Sequence, residues 1–417
     1  MLHCKRLVAA ALFALAPVLA AAQQGPIKVG ALLELTGVFA PNGQDALDGF
    51  RMYLDEIKSQ AGNRKVELIV EDTAGKPDLG LTKARKLVES DGVHVLTGIV
   101  NTGVALAVSS YIREKRIPLV ISADAGASGL TMPGKLLNPF IVRVSQSGRG
   151  PGAAAGDWAY KQGWRKVSLI GSDYAGGVEV LGSFARVFCL RGGQVVQEQY
   201  VPLGTADFGP YLNNIKRDVD GVVVFEAGAD GLRFTRQYIE AGLKGKIPMM
   251  DLYGQSTVDH NLPDFGDSAL GIFSALHYSA AIKTPENERF VKLFRARTHR
   301  IPTDNGPDGY VGARAIVEAA KALGGKVEDG EKFVAALKAV KFPSPKGNIA
   351  IDQYGNVIQS QYIRKVEKVG KEYLNVPIAS YDTIDQFWPF KVDEYMKFKP
   401  YAEIKGKLTD CAKCLEK

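Results

Sequence analysis

The chain has 417 residues, of which 46% are hydrophobic and 23% charged, with a formal net charge of +7. These proportions are ordinary for a globular protein. The basic excess is scattered, with no arginine-rich stripe carrying interleaved aromatics, so nucleic-acid binding has little support.

Residues 1–22 read as a removable export signal. Lys5 and Arg6 form its positive start, Leu7–Leu19 its apolar core and Ala20-Ala21-Ala22 a cleavage site. The apolar stretch is too short, and too soon followed by Gln23-Gln24-Gly25, to span a membrane. Cys4 precedes the core instead of standing at the cleavage point, which argues against a lipid anchor. Removing Lys5 and Arg6 takes the net charge from +7 to +5. About 395 residues remain, enough for two or three domains at roughly 100–200 residues each. An exported protein without cofactor is the expectation.

Apolar runs predict strands at Ile27–Leu33, Val66–Val70, Val93–Ile99, Pro118–Ser122, Val167–Gly171, Gln194–Tyr200, Gly221–Phe225 and Ile247–Asp251. Helical spacing falls between them at Gln44–Ser59, Leu79–Ser90, Gly103–Glu114, Gly150–Gln162, Val178–Arg191, Phe208–Arg217 and Gly231–Ala241. Two more helices are predicted at Glu286–His299 and Asp308–Leu323, then β-like segments at Asn348–Asp352 and Gln361–Val366 around Tyr354-Gly355-Asn356. Such alternation makes parallel sheets covered by helices on both faces. The pattern restarts near Gly150, so the fold class is α/β: two doubly wound parallel-sheet lobes joined by a three-strand hinge. The first lobe is expected from 25–143 plus 277–347, and the second from 144–276 plus 348–380. Residues 381–417 form a C-terminal extension rich in aromatics and lysines, for which packing on the back of a lobe is expected.

Three loops of small or hydroxyl residues follow early strands: Thr36-Gly37, Asn101-Thr102-Gly103 and Ala125-Gly126-Ala127. In an open parallel sheet the carboxyl ends of neighbouring strands share a crevice where ligands bind. Small residues let backbone N–H groups approach a ligand, and helix N-termini favour its negative end.

No nucleophile elbow, zinc-protease motif or phosphate-cradling loop is present, and His94, His260, His277 and His299 form no recognisable pair, so an enzyme is not expected. His277 reads as a satisfied structural histidine and Asp308 as a helix cap. After signal removal three cysteines remain, and a local Cys411–Cys414 clasp with Cys189 unpaired is expected.

The order of Val29-Gly30, Leu35-Thr36-Gly37, Gly43, Asp48-Gly49, Glu71-Asp72, Leu130-Thr131, Asp207-Phe208 and Gln237–Leu243 with Ile247-Pro248 resembles periplasmic solute-binding proteins of the branched-chain amino-acid type of ABC transporter. The likeness runs to about Val366 and implies the type I periplasmic-binding fold. Ile121–Thr131, Asp173-Tyr174-Ala175, Pro202–Leu212, Gly228-Ala229-Asp230 and Leu276-His277-Tyr278-Ser279 are similar to the branch that binds aromatic carboxylates. The resemblance implies a monomer that passes a small organic acid to an inner-membrane permease. It places ligand contacts at Asn42, Asn101, Thr102, Ala125, Gly126, Ala127, Tyr174, Ala227, Gly228 and Tyr253. Amino-acid binders carry a glutamate for the ligand ammonium where this chain has Tyr253. Unless Glu226 or Asp251 replaces it, a buried ammonium would stand uncompensated, at a cost of several kcal/mol. Tyr174, Tyr253 and Phe39 suit a ring instead. Branched-chain amino-acid binding and a sensory role remain the alternatives.

Each residue also has a plainer reading. Thr102 can be a simple N-cap, Asn101 a turn former, and Ala125–Ala127 small for packing. Tyr253 can belong to a surface loop, and Phe39 and Phe225 to the core.

Overall fold

The computed structural model describes residues 25–417, so the predicted export signal lies outside the described residues. The first sheet contains β1 (Ile27–Leu33), β2 (Gln60–Ala61), β3 (Arg64–Asp72), β4 (Val95–Gly98), β5 (Leu119–Ile121) and β6 (Ile141–Arg143). Its order is β2-β3-β1-β4-β5-β6, parallel throughout except for the β2–β3 hairpin. The second sheet holds β7 (Lys166–Ser172), β8 (Gln194–Val201), β9 (Gly221–Phe225), β10 (Met249–Leu252), β11 (Phe273–Leu276), β12 (Phe342–Ser344), β13 (Gly347–Ile351), β14 (Val357–Val369) and β15 (Glu372–Ile384). From β8 to β11 its strands run parallel in the order β8-β7-β9-β10-β11, and β14 joins β11 antiparallel. Buried on both faces, the parallel strands are near-continuous apolar runs, which is why the sequence showed them clearly.

The helices in chain order are α1 (Ala40–Glu56), α2 (Pro77–Arg85), α3 (Thr102–Lys115), α4 (Gly150–Lys161), α5 (Ala175–Arg191), α6 (Gly209–Asn213), α7 (Ala229–Glu240), α8 (Leu262–Phe265), α9 (Pro285–Thr298), α10 (Asn305–Ala322) and α11 (Gly330–Lys338). Side-chain oxygens start several of them: Asn101 accepts from the Gly103 N–H at 2.7 Å before α3, and Asp329 accepts from the Glu331 and Lys332 N–H groups before α11. Helices α9 to α11 return to the first lobe, where Phe290, Ile316 and Phe333 share a core with Leu32, Val95 and Ile121. In the second lobe α4 and α5 pack Trp158, Phe184 and Phe188 against Leu169, Val223 and Leu252.

The chain crosses between lobes three times, and one buried polar cluster ties the crossings together. Lys346 Nζ donates to the Val144 carbonyl at 2.6 Å, to the Ser145 carbonyl at 3.1 Å and to Asp308 Oδ1 at 2.6 Å. The same carboxylate meets His277 Nε2 at 3.0 Å. His277 is thus structural, as expected, but only half satisfied: its Nδ1 is buried without a partner. Asp308 is not the helix cap expected: α10 already begins at Asn305, and the carboxylate is drawn inward by these two partners. Burial opposes its charge, but His277 and Lys346 outweigh burial and hold it below the usual carboxylate range. His277, Asp304 and Asp308 are close enough to hold a metal, but the Lys346 ammonium already supplies the cation there.

The expected Cys411–Cys414 clasp does not form. Cys411 is bonded to Cys189 of α5, and Cys414 is a buried free thiol. Cys411 and Cys414 share one short helical segment, and the Cys411 side chain faces Cys189, with a Cα–Cα distance of 5.3 Å, while Cys414 meets α5 through its carbonyl, which accepts from Arg186. Burial pushes the Cys414 thiol up to about 12. The strand β15, absent from the sequence expectations, pairs along β14, and the segment after it packs Phe387, Phe390 and Tyr395 onto Ala153 and Val187.

Candidate functional site

Both sheets reverse strand order beside their first strand, and the two switch points face one another. In the first sheet it lies between β1 and β4, and in the second between β7 and β9. The loops leaving these ends carry Phe39, Asn42, Val100 and Thr102 on one side and Tyr174, Ala227 and Gly228 on the other. They line a narrow cleft between the two lobes.

Of the residues picked from sequence, Asn42, Thr102, Gly126, Tyr174, Ala227, Gly228 and Tyr253 line this cavity. Asn101, Ala125 and Ala127 do not. Asn101 spends its side chain on the Gly75 carbonyl and the Gly103 N–H. The carbonyls of Ala125 and Ala127 accept from the fully buried Arg143, which turns them away from the cavity. Only Gly126 between them faces it. A Cβ there would stand 2.8 Å from the Gly148 nitrogen and 3.3 Å from Tyr253 Oη, so the loop admits no side chain. The Gly126 N–H donates to Thr102 Oγ1 at 3.2 Å, which leaves the Thr102 hydroxyl proton available to a further acceptor.

Aromatic rings form much of the wall. Phe39 lies 6.0 Å from Tyr174, Tyr174 stacks on Phe225 at 6.3 Å, and Phe225 meets Tyr253 edge-on at 5.4 Å. Phe225 and Phe39 therefore face the cavity instead of serving only the core. Tyr253 has φ of 69°, rare for a bulky residue. Its hydroxyl donates to the Ser147 carbonyl at 2.8 Å, holding the loop after β10 to the segment that enters the second lobe. Gly228 has φ of +54°, and a Cβ would come within 2.4 Å of the Val38 carbonyl. The glycine lets the Ala229 N–H donate to that carbonyl at 3.1 Å, a bond between lobes.

The electrostatics are mixed. Four helices, α1, α3, α5 and α7, begin at or beside the cavity, and their N-terminal ends favour an anion. No Lys, Arg or His is on its wall among the described residues. One carboxylate is: Asp124, which sequence reasoning missed because it sits beside the loop chosen and belongs to no motif. Asp124 Oδ2 accepts from Asn305 Nδ2 at 2.7 Å and Asn42 Nδ2 at 3.1 Å. The Asp304 carboxyl lies beside it, and the two titrate together. Burial lifts Asp124 to about 6 and Asp304 well above the carboxylate range, so the pair carries one negative charge at neutral pH.

Neither carboxylate considered from sequence as a substitute lines the cavity. Glu226 accepts from Ser172 Oγ at 2.7 Å, and burial pushes it up to about 8. Asp251 accepts from the Ser256 N–H and the Thr257 hydroxyl, and burial lifts it to about 7. Gln255 was also missed; it completes the wall from the second lobe.

A family model described as periplasmic binding protein matches residues 26–371. Among curated proteins, the chain is 31% identical over 383 residues to "Leu/Ile/Val-binding protein homolog 6" of Brucella melitensis, covering 90% of this chain and 96% of that one. Among solved structures, an ABC transporter substrate-binding protein from Sphaerobacter thermophilus is 37% identical, with a TM-score of 0.81 over 86% of this chain and 99% of that one. A solute-binding protein from Rhodopseudomonas palustris BisB5 in complex with 3,4-dihydroxybenzoic acid is 35% identical, with a TM-score of 0.82, covering 86% and 98%.

Proposed function

The chain belongs to the periplasmic binding protein family, as a substrate-binding component of an ABC transporter, and we propose that its ligand is a small aromatic carboxylate. The observation that carries this reading is the wall of Phe39, Tyr174, Phe225 and Tyr253 around a cavity that gathers helix N-termini. The rings supply stacking area for a benzene ring. The helix ends, the Thr102 hydroxyl and nearby N–H groups supply donors for a carboxylate. Likeness to the dihydroxybenzoate complex supports the same ligand class.

The lobes capture the ligand by closing on it. Asn42 and Gln255, and Val38 and Ala229, are bonded across the seam. Opening breaks such bonds, and the ligand favours closure to the extent that it adds contacts to both walls. The closed pair of lobes then presents the form that delivers ligand to an inner-membrane permease. A monomer suffices, because one chain supplies both walls.

One observation favours a second reading, binding of an α-amino acid: the charged Asp124–Asp304 pair lies on the wall. Against it, Asp124 Oδ2 already takes the side-chain amides of Asn42, Asn305 and Gln255, and burial keeps Asp304 protonated, so only Asp124 Oδ1 is left for an ammonium. Titration calorimetry of the mature protein with benzoate, 3,4-dihydroxybenzoate, leucine and valine separates the readings. Binding of the amine-free acids is expected. Binding of leucine or valine alone overturns the proposal.

A further inference from the structure

Beside the main cavity lies a second, roomier one. The two share Asn42, Gly228 and Gln255, so only this partition divides them. The second compartment is lined by Arg364, whose side chain comes from β14 and is 3% exposed. Its Nε donates to Ser274 Oγ at 3.0 Å and its Nη1 to the Tyr278 carbonyl at 2.8 Å. Among the described residues its Nη2 makes no hydrogen bond, and no carboxylate lies within ion-pair distance of the guanidinium. Asp259 and Asp304 lie on the same wall, but Asp259 accepts from the Asn375 backbone and side-chain amides, and burial keeps Asp304 protonated. The Tyr278 hydroxyl, also on this wall, is buried without a partner.

A buried guanidinium without a counter-ion is costly, and so is a buried hydroxyl without a partner. Two donors left open on one empty compartment fit an acceptor that arrives with the ligand. Gly254 has the space-making role expected of such a site: a Cβ there would fall 2.1 Å from Arg364 Nη2.

We propose that this compartment is an anion subsite, and that the protein's preferred ligands are aromatic acids bearing a second acidic group, held by Arg364 Nη2 and the Tyr278 hydroxyl. The proposal rests on the reading that the first compartment holds the ring and first carboxylate. A ligand long enough to enter both compartments replaces the Asn42–Gln255 hydrogen bond with its own polar contacts at the partition.

The test is calorimetry on the mature protein with benzoate, terephthalate and 4-(carboxymethyl)benzoate, which share a ring and differ in the second carboxylate. At least one diacid is expected to bind tenfold or more tightly than benzoate. Tyr278→Phe, which removes a hydroxyl that bonds to nothing and so leaves the fold unchanged, is expected to weaken that diacid at least threefold while leaving benzoate unaffected. Arg364→Lys, if it folds, should show the larger loss with the same selectivity. Benzoate binding as tightly as both diacids overturns the subsite while the aromatic-acid reading stands. Equal weakening of benzoate and diacid by Tyr278→Phe also overturns it, since the pair would then grip the only carboxylate. If none of the three acids binds, the subsite and the aromatic-acid reading both fall.

Discussion

Asn42 Nδ2 donates to Gln255 Oε1 at 2.8 Å, joining the first turn of α1 to the loop after β10 across the cleft. One side-chain pair therefore latches the lobes and divides the two compartments. A neutral hydrogen bond of this kind contributes about 1 kcal/mol net. Gln255→Ala should weaken a benzoate-class ligand by roughly fivefold, chiefly through faster release, as stopped-flow dissociation would show. An unchanged release rate would mean that the latch has no part in retention.

The charge of the Asp124–Asp304 pair makes ligand class readable from pH. Burial lifts Asp124 to about 6, so the pair loses its negative charge as pH falls through that value. A bound carboxylate then meets less repulsion, and its affinity should rise between about pH 7.5 and 5.5. A bound ammonium would lose its partner over the same interval, and its affinity should fall. Calorimetry at the two pH values, with the ligand's own ionisation subtracted, reads the sign directly.

Tyr174 stacks on Phe225 and leans against Phe39, bridging rings of the two lobes. Tyr174→Ala should reduce affinity at least tenfold while the protein keeps its circular-dichroism spectrum. Tyr174→Phe should lose much less. Unchanged affinity in the alanine variant would remove Tyr174 from the site.

Glu226 links titration to stability. Its folded-state value of about 8 stands above the ordinary 4.5, because burial disfavours the charge. The folded protein therefore holds a proton that the unfolded chain releases, and stability falls as pH rises from about 4.5 through 8. Glu226→Gln keeps an acceptor for Ser172 but cannot ionise. Its melting temperature should change less than that of the parent between about pH 5 and 8.5, measured by calorimetry.

The Cys189–Cys411 bond spans 222 positions and fastens the C-terminal segment to α5. Removing a disulfide commonly costs about 2–5 kcal/mol. Cys411→Ser should lower the melting temperature and make the segment beyond Ile384 susceptible to limited proteolysis. In the parent, alkylation should label Cys414 only after denaturation, because its thiol is buried.

The first parallel strands were legible because strands covered on both faces read as unbroken apolar runs. Ile27–Leu33 and Gly221–Phe225 match β1 and β9 end to end. Strand β6 has only Ile141–Arg143 to show, and β15 alternates polar and apolar residues with one face open, so neither offered an apolar run. The cleft was legible where a loop follows a strand closely, as at Thr102 and Tyr174. Asp124, Gln255 and Arg364 were not, since their roles depend on neighbours up to 213 positions away. The cysteine pairing was missed for the same reason: sequence spacing favours a near partner, and the tail's docking on α5 brings a distant one closer.

When one lobe rotates against the other, each atom moves in proportion to its distance from the axis. The bonds that Lys346 makes to Val144, Ser145 and Asp308, with His277 on the same carboxylate, join all three crossings in a space of a few side chains. They survive opening only if the axis runs close beside them. That cluster then acts as the fulcrum, while Asn42, Tyr174 and Gln255 form the jaws. Fulcrum and jaws share no residue, so the swing of this molecule and its taste in ligands are free to change independently.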